Sequence, residues 1–261
     1  MRKRYVIAVV ASMVAGAAYL MGAPPSGRAN MIQAPISGGP PIWTLKAHTS
    51  VVCNDGSGFC NTNNPITTPA INTTGADLIV AGVTFFATPS GAGCSTPNVF
   101  SDSKSNTWST AKTVQNNGTS DGEFDLFYVH APTVGSGHTF NYNKECFSSI
   151  YILAFSGSVL SPLDVTNSGS NASNETSQAS GSITPTQNGD LIISGILGPS
   201  TTATPNSGIT QADAFSPAVS AQTYGTGLGY FAQSTAAAIN PTWSWTTGAS
   251  AAALVASFKS H

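Results

Sequence analysis

Short apolar or alternating segments follow one another along the chain from residue 43 onward. Clusters of Gly, Pro, Asn and Ser separate them, including Asn117-Gly118 and Asn188-Gly189. This pattern is typical of β-strands joined by turns, and no segment keeps the 3.6-residue apolar period of an amphipathic helix. The predicted strands cover 43–52, 77–86, 107–114, 123–130, 138–143, 149–155, 190–197, 228–233, 242–245 and 251–258.

Three segments recur in the same order in the two halves of the chain. The segment GADLIVAGV around Asp77 resembles NGDLIISGI around Asp190, 113 residues later. Two further pairs follow, LFYVHAPTVGSGHTFNYN with LGYFAQSTAAAINPTWSW and YILAFS with LVASFK. We infer an internal duplication, with pseudo-repeats at about 71–158 and 185–261.

The duplication decides how the Ala-rich segment 251–256 is interpreted. By helix propensity alone, this segment would be called helical. Its partner in the first half, 149–155, contains Ile150, Tyr151 and Ile152 and has the composition of a strand. We therefore predict strands in both places, and their continuous apolar character predicts burial on both faces.

These elements predict an all-β fold, a single large antiparallel β-sandwich of jelly-roll-like type spanning residues 43–261. Two Ig-sized sandwiches in tandem are the alternative. The single sandwich is favoured because the second half has fewer strand candidates than an independent domain needs. The Ser/Asn-rich stretch 167–180 is interpreted as a long surface loop.

The N-terminus has the order of features of a secretory signal peptide. Arg2, Lys3 and Arg4 precede an uninterrupted apolar run over 5–21, and small residues near Ala29 offer a cleavage site. An uncleaved membrane anchor is the alternative. We expect a signal peptide over 1–29, a linker over 30–42, and a secreted or cell-surface protein in the periplasm or outside the cell.

Removal of residues 1–29 leaves five lysines, no arginine and eleven carboxylates, a formal charge of −6. Nucleic acids and anionic membranes both attract basic surfaces. The charge therefore argues against nucleic-acid binding, and against membrane binding once the signal peptide is removed. The sequence does not indicate an oligomeric state.

The chain contains four cysteines, Cys53, Cys60, Cys94 and Cys146. An even number of thiols in an exported protein favours two disulfides over metal ligation. Three connectivities are possible, and Cys53 with Cys60 is the cheapest closure because these residues bracket a short Gly-containing loop. That pairing leaves Cys94 with Cys146.

The segments GADLIVAGVTF, SDSKSNTW and LAFSGSVLSPLD resemble, in that order, a β-sandwich domain of secreted bacterial proteins of uncharacterised function. The likeness covers about 71–258. It implies an extracellular sandwich or jelly-roll fold, and it brings no catalytic residues with it.

Three acidic residues, Asp121, Glu123 and Asp125, alternate along a predicted strand. They could bind calcium or act as paired glycosidase carboxylates. Alternatively, they solvate an edge strand and keep it from pairing with other chains. Trp108, beside the polar turn SDSKSN, is our candidate for an exposed aromatic contact with a ligand.

Trp243 and Trp245 lie two residues apart on a predicted strand and therefore point to the same face. Such a pair could be a sugar platform. However, Phe140 and Tyr142 have the same spacing at the equivalent place in the first half. A pattern kept in both halves is better explained by packing, so we predict that both tryptophans are buried.

The sequence favours an exported, non-catalytic binding or structural module that contacts glycans or other extracellular polymers. A secreted glycoside-active enzyme that uses the Asp121, Glu123 and Asp125 cluster is the alternative. A purely structural role, as in a stalk or coat, is a third hypothesis. We expect no cofactor, with calcium as the one candidate ion.

The signal-peptide interpretation predicts the mass of the exported protein. Export should remove residues 1–29, because a charged start, an apolar run and small residues occur in signal order. Intact-mass analysis of the exported chain should therefore match residues 30–261. Recovery of a chain that still carries residues 5–21 from the membrane fraction would show an anchor instead.

Overall fold

The computed structural model describes residues 43–53, 66–86, 99–116, 122–143, 148–198, 202–215, 218–219, 222–223 and 225–261. The predicted signal peptide and linker lie outside these residues. The described residues form these strands: β1 Thr44–Val52, β2 Ile66–Thr67, β3 Leu78–Phe86, β4 Val99–Asp102, β5 Ser109–Gln115, β6 Gly122–His130, β7 Phe140–Asn143, β8 Ser149–Ser156, β9 Ser158–Ala179, β10 Asp190–Leu197, β11 Thr204–Pro205, β12 Thr210–Phe215, β13 Ala218–Val219, β14 Gln222–Thr223, β15 Thr226–Gln233 and β16 Thr242–Ser260.

Two antiparallel main sheets repeat the same strand order. The first sheet runs β1-β8-β3-β6-β5, and the second runs β16-β10-β15-β12 with β9 paired to the outer side of β16. Strand β9 in the second sheet thus corresponds to β1 in the first. The predicted all-β antiparallel sandwich is confirmed, and the repeated strand order agrees with the predicted internal duplication.

The two main sheets pack face to face. Their shared core contains Leu78 and Val80 from β3 and Leu191 and Ile193 from β10, all fully buried. The edges of the sheets also meet, with β1 beside β12 and β5 beside β9. Matched strands of the two halves therefore lie in different sheets and face each other across one core.

The outer faces of both main sheets are covered as well. Strands β2, β7 and β4 form a small sheet, and it packs over Ile79 and Ala81 on the outer face of β3. On the second sheet, the beginning of β16 plays the same part, pairing with β11 and with the end of β9. Central strands β3 and β10 are accordingly buried along their whole length.

The two tryptophans lie in this outer layer. Trp243 is fully buried and Trp245 is 6% exposed. The Trp243 indole nitrogen donates a hydrogen bond to Ser194 Oγ at 2.9 Å. Phe140 and Tyr142 are fully buried at the equivalent place. The packing interpretation of the aromatic pairs is confirmed.

The Ser/Asn-rich stretch 167–180 was predicted as a surface loop, and this prediction is wrong. Most of it belongs to β9, and residues 166–171 pair with 251–256 of β16. Its polar side chains bond the backbone, for example Asn171 Oδ1 with the Ala251 amide at 3.0 Å. A strand that keeps many exposed polar side chains lacks the apolar alternation by which strands are recognised.

Two equivalent glycines, Gly82 and Gly195, make room for the ring of Phe124 between the sheets. A Cβ atom on Gly195 would lie 2.2 Å from the Phe124 ring, whereas one on Gly82 would lie 3.0 Å from it. Phe124 is fully buried, so its ring cannot simply move into solvent. Glycine inside a strand often marks such a close approach.

We predict that Gly195→Ala destabilises the protein by about 1–3 kcal/mol, as overpacking usually does. Gly82→Ala is the matched control and should cost less, because its contact is looser. Urea denaturation measures both. Combining Gly195→Ala with Phe124→Leu should recover part of the loss; no recovery would place the strain elsewhere.

Candidate functional site

The predicted acidic cluster is only partly within the described structure, because Asp121 lies outside it. Asp125 is 6% exposed and accepts a hydrogen bond from Thr113 Oγ1 at 2.5 Å. Glu123 accepts one from Gln115 Nε2 at 3.1 Å. Both carboxylates are therefore bonded to side chains of the neighbouring strand β5.

These carboxylates lie on the outer face of β6. They alternate with Phe124 and Leu126, which belong to the core between the main sheets. The next residue on the outer face, Phe127, packs against the cluster under the small sheet. Burial raises the pKa of Tyr142 in that layer, and the charges of Asp125 and Glu123 raise it further.

Trp108 is partly buried, and its indole is held from two sides. Its ring meets the edge of Phe100 at a centroid distance of 4.8 Å and that of Phe140 at 6.1 Å. Its indole nitrogen donates to Asp102 Oδ2 at 2.7 Å. These contacts give Trp108 a packing role in the outer layer.

Asp102 organises the turn that leads to Trp108. Besides the indole, its carboxylate accepts bonds from the Lys104 amide at 2.7 Å and from Asn106 Nδ2 at 3.2 Å. His138 Nε2 lies 3.2 Å from Asp102 Oδ1, and both side chains are fully buried. The turn composition of SDSKSN was the one signal that could have pointed to this role.

The other side of the His138 ring contacts a hydroxyl. Its Nδ1 lies 2.9 Å from Thr73 Oγ1, and its ring stacks on Phe140 at 4.3 Å. The hydroxyl, the imidazole and the carboxylate thus follow one another in the order of a hydrolase catalytic triad. Thr73 and His138 are both fully buried, so no substrate reaches them, and the chain of contacts is structural.

A surface cleft of about 310 Å³ opens where the first sheet meets β9. One side is formed by Thr107, Ser109 and the end of β6, and the other by the first residues of β9. Leu160, on the β9 side, is 85% exposed. The residues that line the cleft include Thr107, Ser109, Tyr128, His130, Leu160 and Leu163.

The duplication places an equivalent corner on the opposite side of the sandwich, where Trp43 lies. Tyr128 meets Phe258 at a centroid distance of 5.5 Å, and its counterpart Tyr230 meets Phe155 at 5.2 Å. Beside Phe155, the Trp43 ring packs at 6.1 Å, and its indole nitrogen donates to the Gly189 carbonyl at 2.8 Å. A large ring thus packs at one corner, while the other keeps a cleft.

Cys53 directly follows β1 and is 3% exposed. Its amide donates to the carbonyl of Ser148 at 2.8 Å, and Ser148 is two residues from Cys146 in the sequence. This contact makes Cys146 a second candidate partner for Cys53 beside Cys60. Cys60, Cys94 and Cys146 lie outside the described residues, so both the disulfides and their pairing stay predictions.

Within the described part of the chain, no three His, Cys, Asp or Glu side chains are grouped so that they could hold a metal ion. The same residues include no helix long and apolar enough to cross a membrane. Calcium binding near Glu123 and Asp125 stays a prediction.

Burial alone would raise the pKa of Asp102, but bonds from His138, the Lys104 amide, Trp108 and the Asn106 amide outweigh it and hold the pKa below 3.8. Asp102 therefore contributes stability above its unfolded pKa and loses it as the pH falls through the folded pKa.

We predict that Asp102→Asn costs about 2–3 kcal/mol at pH 6, because bonds to a charged acceptor are lost. The difference in urea midpoint from wild type should shrink as the pH falls below about 4. Asp213→Asn is the control, because Asp213 forms only a partly exposed pair with His48. A gap that stays constant down to pH 3 would contradict the assigned role.

Comparison with known proteins gives no match to a protein family, to a curated protein or to a solved structure. The resemblance to secreted β-sandwich domains therefore stays a hypothesis, and functional inference depends on the geometry of this chain.

Proposed function

We propose that this chain is an exported, non-catalytic binding module whose cleft takes a sugar unit of an extracellular glycan. The observation that carries the proposal is the cleft itself, together with the packed Trp43 at the equivalent corner. At one of the two corresponding corners the described residues include a packed large ring, and at the other they leave a cleft.

The chemistry of the cleft suits a sugar ring, which has apolar C–H faces and hydroxyl edges. Tyr128, Leu160 and Leu163 offer apolar surface. Thr107, Ser109 and His130 offer hydrogen-bonding groups around it. Binding sites for small ligands commonly combine mostly apolar walls with a few polar groups that fix orientation.

Charge supports a neutral ligand. No Lys, Asp or Glu is among the described residues that line the cleft. The absence of arginine after residue 28 removes the side chain best suited to hold phosphate or carboxylate groups. A neutral or weakly charged polymer therefore fits better than an acidic one.

The position of the carboxylates on β6 supports binding over hydrolysis. A glycosidase needs two carboxyl groups about 5–10 Å apart on either side of the scissile bond. Glu123 and Asp125 lie earlier on β6, whereas Tyr128, Val129 and His130 at the end of the strand line the cleft, and no carboxylate is among the described residues that line it. The glycoside-active enzyme remains the second candidate and is an outcome of the test.

We predict that the mature protein binds particular neutral glycans on an array, and that Leu160→Ser weakens this binding. Leu160 is 85% exposed, so the change should leave the melting temperature within about 1–2 °C of wild type. Val99→Ser, at a residue 47% exposed outside the cleft, is the control and should bind normally.

A second matched pair tests the aromatic wall. Tyr128→Ala and Tyr230→Ala remove equivalent ring contacts and should cost similar stability. Only Tyr128→Ala should reduce glycan binding. Equal binding by both variants, or release of new reducing ends from the bound glycan, would contradict the proposal, and the latter would favour the enzyme. Repeating the array with added calcium and with a chelator tests whether the ion contributes to glycan binding.

A further inference from the structure

Two carboxyl groups meet where the beginnings of β9 and β10 flank the end of β16. Asp190, the first residue of β10, is fully buried, and neither of its oxygens accepts a well-formed hydrogen bond from an amide or hydroxyl. The Asp164 carboxyl of β9 is its carboxyl neighbour. Two neighbouring ionised carboxylates repel each other, so the pair favours a proton on one of them.

Asp164 is the member that stays ionised. It accepts bonds from the Thr186 amide at 2.6 Å and hydroxyl at 2.7 Å. Lys259 Nζ lies 3.5 Å from Asp164 Oδ1. These contacts favour the charged form of Asp164 and leave the proton on Asp190.

The equivalent residue in the first half, Asp77, has a different environment. Its carboxylate accepts bonds of 3.0 to 3.1 Å from the amides of Gly157 and Ser158, just beyond β8. Asp190 has no such amide donors and faces Asp164 instead. The second half has therefore exchanged a backbone contact for a pair of carboxyl groups.

We propose that Asp164 and Asp190 form a buried proton-binding site that holds the beginning of β9, and with it one wall of the cleft, against β16. Leu163, which lines the cleft, precedes Asp164 and pairs with Phe258 of β16. Proton binding by this pair does not depend on the proposed function, whereas the effect of the proton on ligand binding rests on it.

The charged groups that act on Asp190 are Asp164 from β9 and Lys259 from β16, while β15 places the uncharged Gln233 opposite it. Burial raises the pKa of Asp190 to about 7, and the charge of Asp164 and its hydrogen bond act in the same direction. The nearby Ser257 hydroxyl and the Lys259 ammonium oppose the shift.

The sign of the pH effect follows from the raised pKa. Between 3.8 and about 7, folded Asp190 holds a proton that the unfolded chain has lost. Stability from this group therefore falls as the pH rises through that window and is gone above it. Above about pH 7, repulsion between the two carboxylates should loosen β9 from β16.

Hydrogen exchange tests this on the mature protein at pH 5.5 and 8.5, with rates corrected for intrinsic exchange. We expect residues 158–166 to lose protection at pH 8.5 in the wild type. Asp190→Asn, which mimics the protonated acid, should keep the same protection at both pH values. Asp164→Asn removes the other charge of the pair and should also reduce the pH dependence of protection in residues 158–166.

Asp77→Asn is the matched control, because it should lower protection equally at both pH values. The histidines are common to all variants, so the difference from wild type isolates the carboxyl pair. Equal wild-type protection at both pH values would overturn the proton site. So would a pH difference that is as large in both Asp190→Asn and Asp164→Asn as in the wild type.

A glycan identified on the array provides the second measurement. Its dissociation constant should rise roughly tenfold from pH 5.5 to 8.5 in the wild type, within the range typical of coupled sites. It should not change in Asp190→Asn. A dissociation constant that does not change with pH in the wild type would overturn the coupling. Absence of any glycan ligand would count against the proposed function, and the hydrogen-exchange result would then decide the proton site.

Discussion

The burial of both faces of the central strands is the constraint on which the rest of this structure depends. Strands β3 and β10 have no exposed residue, so each main sheet must be covered twice, once by its partner and once by an outer layer. This requirement explains the small sheet of β2, β7 and β4 over the first main sheet. It also explains why β16 begins in the outer layer with Trp243 before it enters the main sheet.

The duplication lets each half serve as the comparison for the other. Phe124 fills the space between the sheets, while its counterpart Thr226 instead bonds with the Ser149 and Tyr151 hydroxyls. A single large ring is accommodated because Gly82 and Gly195 approach it from opposite sheets. The two halves are thus complementary rather than identical, since one supplies bulk where the other supplies room.

Strands with strong apolar patterns could be predicted from the sequence, and the duplication identified the Ala-rich end of β16 as a strand against its helix propensity. Polar strands could not be predicted in this way. The Asn and Ser side chains of β9 form hydrogen bonds with backbone groups, and these leave no alternating apolar pattern in the sequence. Alternation predicted that Glu123 and Asp125 share a face but not that this face is the outer one. The cleft could not be predicted from the sequence, because it forms where β6 and β9 pack together, and these strands are far apart in the chain.

The places where the halves differ are more informative about function than the places where they agree. Shared features, such as the paired aromatics of the outer layers, are accounted for by packing. The cleft and the carboxyl pair both occur on the β9 side, and in the other half Trp43 and the capped Asp77 stand at the equivalent positions. An open corner and an uncapped buried acid both cost stability relative to their filled and capped counterparts. Both costs arise next to the beginning of β9, as the proposal of a pH-responsive cleft wall requires.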